Sequence, residues 1–165
     1  MSKNSAVIHF IGAADELNCH LGLIKAMIAN EDAWQFSGKS TIVFFERVQK
    51  NIGSIMAHVS DTKNSNFFLP EDEVVDLEKE IDRLYAYLPK QEKLVIPGKN
   101  IIEAQIQIGR TIARKAERLF FAVREEQPLR PEAGAYLNRL SDYLFVLSQQ
   151  ESLINVNFID QVAGV

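Results

Sequence analysis

Three arginines at four-residue steps, Arg110, Arg114 and Arg118, follow a stretch of chain in which apolar residues recur at helical spacing. On an α-helix this spacing places the three guanidinium groups along one ridge beside an otherwise apolar face. A guanidinium group in such a place is costly unless it meets a carboxylate, a phosphate or water. The sequence therefore predicts either an anion-binding site or a network of salt bridges between neighbouring helices.

The same periodicity predicts five helices in all, including the one that carries the arginines, separated by turn residues. We expect helices from Ala13, just after Gly12, to Ala29; from an N-cap at Ser40 to Val59; from Glu71 to a stop at Pro89; from about Asn100 to Glu126; and from Glu132 to an end that stays open around residues 155–159. Short links and the lack of an alternating strand pattern favour an all-α, up-and-down five-helix bundle.

Length and composition set the class of protein. The 165 residues are 47% hydrophobic and 24% charged, which is typical of one globular domain over residues 1–165. The net charge of −4 gives no reason to expect a nucleic-acid partner. A single cysteine, Cys19, excludes an internal disulfide and is typical of a reducing compartment. With no apolar run long enough for a membrane span or a signal peptide, we expect a cytoplasmic protein.

Two further pairs of polar residues are candidates for the site. Asn138 and Asp142 share one face of the fifth helix, where they can grip a ribose or an arginine, or form a buried pair that fixes helix register. Asp15 and Glu16 begin the first predicted helix and can simply complement its dipole. Asp15 is equally suited to be the carboxylate that one of the arginines requires.

Other chemistries find little support. His9, His20 and His58 have no metal-ligand spacing and no cysteine cluster beside them, so no metal site is predicted. Cys19 has no adjacent base that would make it a nucleophile. The glycines are scattered and form no phosphate-binding loop.

Four segments together resemble the PduO-type ATP:corrinoid adenosyltransferase family. They are Gly12–Asn18, similar to G-x-x-D-E-L-N; Ile96–Gly98, similar to the end of F-x-L-P-G; Gly109–Arg118, similar to A-R-T-x-x-R-R-A-E-R; and Leu137–Phe145, similar to N-R-L-S-D-x-x-F. The resemblance extends over roughly residues 7 to 148, and its last two segments are the specific ones.

The resemblance implies a five-helix bundle assembled as a homotrimer, with active sites between neighbouring subunits. It implies ATP, Mg²⁺ and cobalamin as ligands, and transfer of the 5′-deoxyadenosyl group of ATP to Co(I) of the corrinoid. By position, Arg114 would contact the ATP phosphates, Asn138 would hold the nucleoside, and Arg110 would pair with Asp15 across the subunit boundary. The remaining implied members of the site or of its supporting ion pairs are Glu117, Arg118 and Asp142.

The sequence departs from the family pattern on the nucleotide and corrinoid sides. No counterpart of the family's T-G-D-x-G-x-T loop, which wraps the triphosphate, precedes Gly12. Leu94 stands where the family has the aromatic residue of the corrinoid pocket, and Lys115 replaces the second arginine of R-R, whose bidentate fork lysine cannot reproduce. Two further motifs, F-D-x-G and A-R-Y-A-N, are replaced by residues 53–56 and 148–152.

Three hypotheses follow for the function. The first is an active corrinoid adenosyltransferase with an incomplete ATP site. The second is a catalytically impaired paralogue that binds a corrinoid or a nucleotide as carrier or sensor. The third is a purely structural helical trimer in which the arginine ridge is an ion-pair network.

Overall fold

The computed structural model describes residue 2 and residues 5–32, 38–90 and 94–163, with the side chains of the last helix described through Leu153. These residues form helices α1 (Ala6–Ala29), α2 (Gly38–Ser60), α3 (Glu71–Tyr85), α4 (Ile101–Glu126) and α5 (Pro131–Ala163), with a short 3-10 helix at Ser65–Phe67. No strand occurs among the described residues, which confirms the all-α prediction.

The first helix begins earlier than predicted. Ser5 is its N-cap, with the side-chain oxygen accepting a hydrogen bond from the backbone N–H of Ile8 at 3.4 Å. Val7 and Phe10 are buried on the face that continues through Leu17, so the apolar stripe does not start after Gly12. The prediction of a start at Ala13 is therefore wrong by seven residues.

The boundaries of α2 and α3 also differ slightly from the predictions. Ser40 lies inside α2, which begins at Gly38, so Ser40 is not the N-cap. Helix α3 follows Pro70 as predicted, but ends at Tyr85 rather than near Pro89. Residues 86–88 form turns instead of a further helical turn.

Helices α4 and α5 follow the predictions more closely. Asn100 caps α4, with its side-chain oxygen accepting the backbone N–H of Glu103 at 2.8 Å. Helix α5 begins one residue before Glu132 and continues to Ala163. Residues 155–159, whose conformation the sequence left open, are therefore helical.

Helix α4 packs antiparallel to both α1 and α5. The rings of Phe10 on α1 and Phe120 on α4 meet edge to face with centroids 5.6 Å apart. At Gly109 the three helices approach closely, because an added Cβ would lie 3.3 Å from Ile24 Cδ1 and 3.8 Å from Leu144 Cδ1. This packing places the α4 ridge between the exposed faces of α1 and α5.

Helices α2 and α3 close the opposite side of the bundle. Arg47 on α2 donates to Glu73 at 2.8 Å and to Asp76 at 2.6 Å on α3. Asn51 on α2 donates to the buried hydroxyl group of Tyr136 on α5 at 3.1 Å. Burial raises the pKa of Tyr136 well above its usual range, so this hydroxyl stays protonated.

In the part of the chain described, no helix is long and apolar enough to cross a membrane.

Candidate functional site

The centre of the candidate site is a buried carboxylate, Glu117, whose residue is only 8% exposed. Its Oε2 accepts a hydrogen bond from Nη1 of Arg114 at 3.0 Å, one turn earlier on α4. Its Oε1 accepts from Nδ2 of Asn138 on α5 at 2.8 Å. Because both carboxylate oxygens have partners, the buried charge of Glu117 is compensated, and its hydrogen bond holds the Arg114 guanidinium group in place.

The amide of Asn138 is engaged at both ends. Its oxygen accepts from Nη2 of Arg139 at 2.7 Å and from Nε at 3.2 Å, while its nitrogen donates to Glu117. Arg139 in turn pairs with Asp142 at 3.2 Å. The structure therefore links Asn138 and Asp142 through Arg139, and their part in ligand binding stays a prediction. Arg139 was missed, although it lies within the segment that carried the resemblance.

Arg110 is held differently. Its Nε donates to Oε1 of Gln107 at 2.8 Å, and among the described residues it makes no ion pair. Gln107 is 4% exposed and donates from Nε2 to Oγ of Ser148 on α5 at 3.0 Å. Gln107 and Ser148 were not predicted as site residues. The signal that was available is the three-residue spacing of Gln107 and Arg110 on one helix face.

The other predicted site residues of the ridge and of α1 point to solvent. Asp15 and Arg118 are exposed, and neither makes a hydrogen bond or ion pair among the described residues. Within one subunit, the carboxylate of α1 that reaches α4 is that of Glu16, which pairs with Lys115. The structure thus does not pair Asp15 with Arg110 in one chain, and the predicted pairing across a subunit boundary stays a prediction.

The segment before α4 presents apolar side chains to solvent. Leu94 is 93% exposed and Ile96 is 77% exposed. The segment ends at Gly98, whose φ of 106° is in the left-handed region that favours glycine. The fully buried carboxylate of Glu103 accepts the backbone N–H groups of Gly98 at 2.7 Å and Lys99 at 3.0 Å.

The spacing Asn100-x-x-Glu103 is that of a capping box, but the Glu103 carboxylate binds the N–H groups of Gly98 and Lys99 instead of that of Asn100. A shallow cavity of about 310 Å³ opens beside it. Its lining is Pro97, Gly98, Ala104, Gln107, Ile108, Arg110 and Thr111. The cavity therefore joins the apolar segment to the foot of the arginine ridge.

The histidines do not form a further centre. Within the described ranges, no group of three or more potential metal ligands comes together. His58 is buried, accepts the backbone N–H of Arg130 at Nε2 at 3.0 Å, and packs edge-on against Phe68. Burial, with the nearby charge of Arg130, lowers the pKa of His58. These contacts stabilise the link between α4 and α5.

Comparison with known proteins identifies the family of this chain. The family model described as cobalamin adenosyltransferase matches residues 1–151. The corrinoid adenosyltransferase of Bacillus subtilis is 30% identical over 89% of this chain and 75% of its own length. That of Citrobacter freundii is 31% identical over 92% of this chain and 84% of its own length.

A solved structure shares the fold. It is a variant PduO-type ATP:corrinoid adenosyltransferase from Lactobacillus reuteri, complexed with cobalamin and ATP. The TM-score is 0.82 at 25% identity, over 94% of this chain and 84% of that one. With the match to the family model, the bundle and its arginine ridge show that the chain belongs to the cobalamin adenosyltransferase family.

Proposed function

We propose that this protein is an ATP:corrinoid adenosyltransferase. The Co(I) centre of cobalamin attacks C5′ of ATP, a Co–C bond forms, the C5′–O bond breaks, and triphosphate leaves with the electron pair. The observation that carries the proposal is the buried Glu117, which holds Arg114 from α4 and Asn138 from α5. The named activities of the relatives support it, and they do not favour a non-catalytic carrier or a purely structural trimer.

Arg114 suits the phosphate role because only part of its guanidinium group is used. One Nη donates to Glu117, and the side chain is 49% exposed, so further N–H donors face solvent. Donors fixed before the reaction stabilise the charge that develops on the leaving triphosphate. Mg²⁺ would arrive on the ATP as part of the substrate.

The apolar segment before α4 suits the corrinoid side. Leu94 and Ile96 are exposed beside the cavity at Gly98, and Ile101 follows them at 72% exposure. A contiguous apolar patch of this kind is typical of a binding surface. Leu94 then provides an aliphatic contact to the corrinoid where the family motif has an aromatic ring.

A homotrimer supplies the partner that the ridge lacks within one subunit. Asp15 on α1 is exposed without a partner among the described residues, and Arg110 has no carboxylate. In a ring, each subunit presents two different surfaces to its neighbours, so Asp15 of one copy can meet Arg110 of the next. The nucleotide site would then lie at this boundary.

Two measurements test the proposed function. Calorimetric titration with ATP and Mg²⁺ should show binding that Arg114→Ala weakens by about tenfold or more, as expected when a charged hydrogen bond is lost. Arg124→Ala, which changes another exposed arginine of α4, is the matched control. Adding chemically reduced cobalamin should then produce the adenosylcobalamin spectrum.

The alternatives give different results. Corrinoid binding without turnover would favour the carrier or sensor. No binding of either ligand, with Arg114→Ala affecting only assembly, would favour the structural trimer. A lack of ATP binding at millimolar ATP concentration would contradict the proposal that the protein is an active adenosyltransferase.

A further inference from the structure

A chain of buried amides and one hydroxyl group links Arg110 to α5. Arg110 Nε donates to Gln107 Oε1, Gln107 Nε2 donates to Ser148 Oγ, and Gln149 Nε2 donates to the same Oγ at 3.1 Å. The Ser148 hydroxyl group donates its proton to the carbonyl oxygen of Phe145 at 2.6 Å. We call Gln107, Ser148 and Gln149 the amide relay; all three residues are 5% exposed or less.

The amide relay can adopt only one arrangement of donors. The Ser148 proton is committed to a carbonyl oxygen, which only accepts, so Oγ can only accept from Gln107. At the other end, Arg110 Nε–H is a donor, so it requires the Gln107 oxygen. A flipped Gln107 amide would set donor against donor at Arg110. The Gln107 orientation is thus fixed from both ends.

This arrangement orients Arg110 without changing its charge. A neutral amide takes the inward-facing Nε–H, and the two terminal nitrogens of Arg110 keep all their donors. Arg114, by contrast, is paired with a carboxylate. The relay also ends in Ser148 and Gln149, in the stretch where this chain departs from the A-R-Y-A-N motif.

We infer, on the basis of the proposed function, that Gln107 is a positioning residue for adenosyl transfer. It aims the uncompensated charge of Arg110 at an anionic partner beside the nucleotide site, and Ser148 and Gln149 lock Gln107 from α5. Gln107 acts on the reaction through Arg110.

The test separates orientation from charge. Gln107→Met removes the acceptor, Ser148→Ala removes the α5 anchor, and Gln107→Glu keeps an acceptor but adds a carboxylate that compensates the charge of Arg110. Gln105→Met, the same change on the same helix at a side chain without a hydrogen bond among the described residues, is the matched control. Hydrogen exchange of the Arg110 Nε–H with water is read by NMR and assigned through its loss in Arg110→Lys.

We expect exchange to quicken by roughly tenfold in Gln107→Met and Ser148→Ala, because the hydrogen bond that protects the proton is lost or loosened. Exchange should stay slow in Gln107→Glu and Gln105→Met. In turnover assays kcat should fall by roughly tenfold in all three relay variants with KM for ATP little changed, as expected for an interaction made in the transition state. Gln105→Met should behave as the parent protein.

Two results would overturn the inference. Unchanged exchange in Gln107→Met shows that Arg110 is not held by the relay, even if the protein proves inactive and the proposed function fails. Faster exchange with unchanged kcat, in a protein that does transfer the adenosyl group, shows that the relay is structural only.

Discussion

Arg110 and Arg114 lie one turn apart on α4, yet the side chains that hold them differ in charge. Arg114 rests on the carboxylate of Glu117, which Asn138 supports from α5. Arg110 rests on the amide of Gln107, which Ser148 supports from α5. Each arginine is held by a side chain three residues away on α4, but among the described residues only the charge of Arg114 is compensated by a carboxylate. The comparison shows how one helix ridge can present one paired and one unpaired cation to two different anions.

The largest expected effect comes from removing the carboxylate under Arg114. Glu117→Ala leaves the Asn138 amide and the Arg114 head without their shared partner, so we expect a loss of about 2–3 kcal/mol in the free energy of unfolding. Misplacement of Arg114 should lower kcat/KM by on the order of a hundredfold. Denaturant unfolding and turnover assays measure the two effects.

Glu125→Ala is the control, because Glu125 is an exposed carboxylate near the end of the same helix. If Glu117→Ala lost less than about threefold in kcat/KM, well below the cost of a misplaced charged contact, Arg114 would not depend on its carboxylate.

Placing a second carboxylate beside Glu117 should act through like-charge repulsion. In Asn138→Asp the pair will share a proton, so the pKa of one carboxyl is raised in the folded state. The folded state then binds more protons than the unfolded state, and stability falls as pH rises from the unfolded pKa through that raised value. Denaturant unfolding at pH 4 to 8 should show this slope in Asn138→Asp and not in Asn138→Ala. Parallel pH curves for the two variants would exclude the repulsion.

The proposed ion pair between Arg110 and Asp15 of neighbouring subunits should stabilise the proposed trimer. We expect Asp15→Ala or Arg110→Ala to raise the concentration at which the trimer dissociates by roughly tenfold, the effect of about 1.4 kcal/mol. Light scattering over a dilution series measures this. Glu16→Ala is the matched control, since Glu16 pairs with Lys115 within one subunit. A charge-swapped double variant, Asp15→Arg with Arg110→Asp, should restore the trimer, and failure to do so would count against direct pairing.

The smallest effect should lie away from the ridge. The arginines keep their charge near neutral pH and add no pH dependence to the unfolding free energy. Between pH 5 and 7 that dependence comes from His58, whose pKa is lowered by burial. The unfolded chain then takes up the proton more readily, and stability is lost as pH falls below the unfolded value of about 6.5. His58→Gln should flatten the dependence of unfolding free energy on pH between 5 and 7. An unchanged slope would assign the sensitivity to another group.

The sequence predicted the ridge well because its information is local. The spacing of Arg110, Arg114 and Arg118, and the helix start near Asn100, depend only on helix periodicity and on the residues of the first turn. The all-α fold class and the family resemblance, which also rest on local sequence patterns, are confirmed.

The partners of the ridge were harder to predict because they depend on how α5 is rotated against α4. Whether Asn138 reaches Glu117, or Ser148 reaches Gln107, is decided by helix packing rather than by spacing along one chain. The early start of α1 was a different error. The helix start was predicted after Gly12 because glycine often interrupts a helix. In the structure the helix continues through Gly12, and its N-cap is Ser5.

The close approach at Gly109 has a consequence for how finely the site is set. Its hydrogen atom stands where the family motif has the methyl group of alanine, and a methyl group would meet Ile24 at 3.3 Å. Such a contact is tight enough that the end of the Ile24 side chain must shift by a few tenths of an ångström. One residue before Arg110, α4 thus lies so close to α1, which carries Asp15, that a single added carbon would press on the Ile24 side chain.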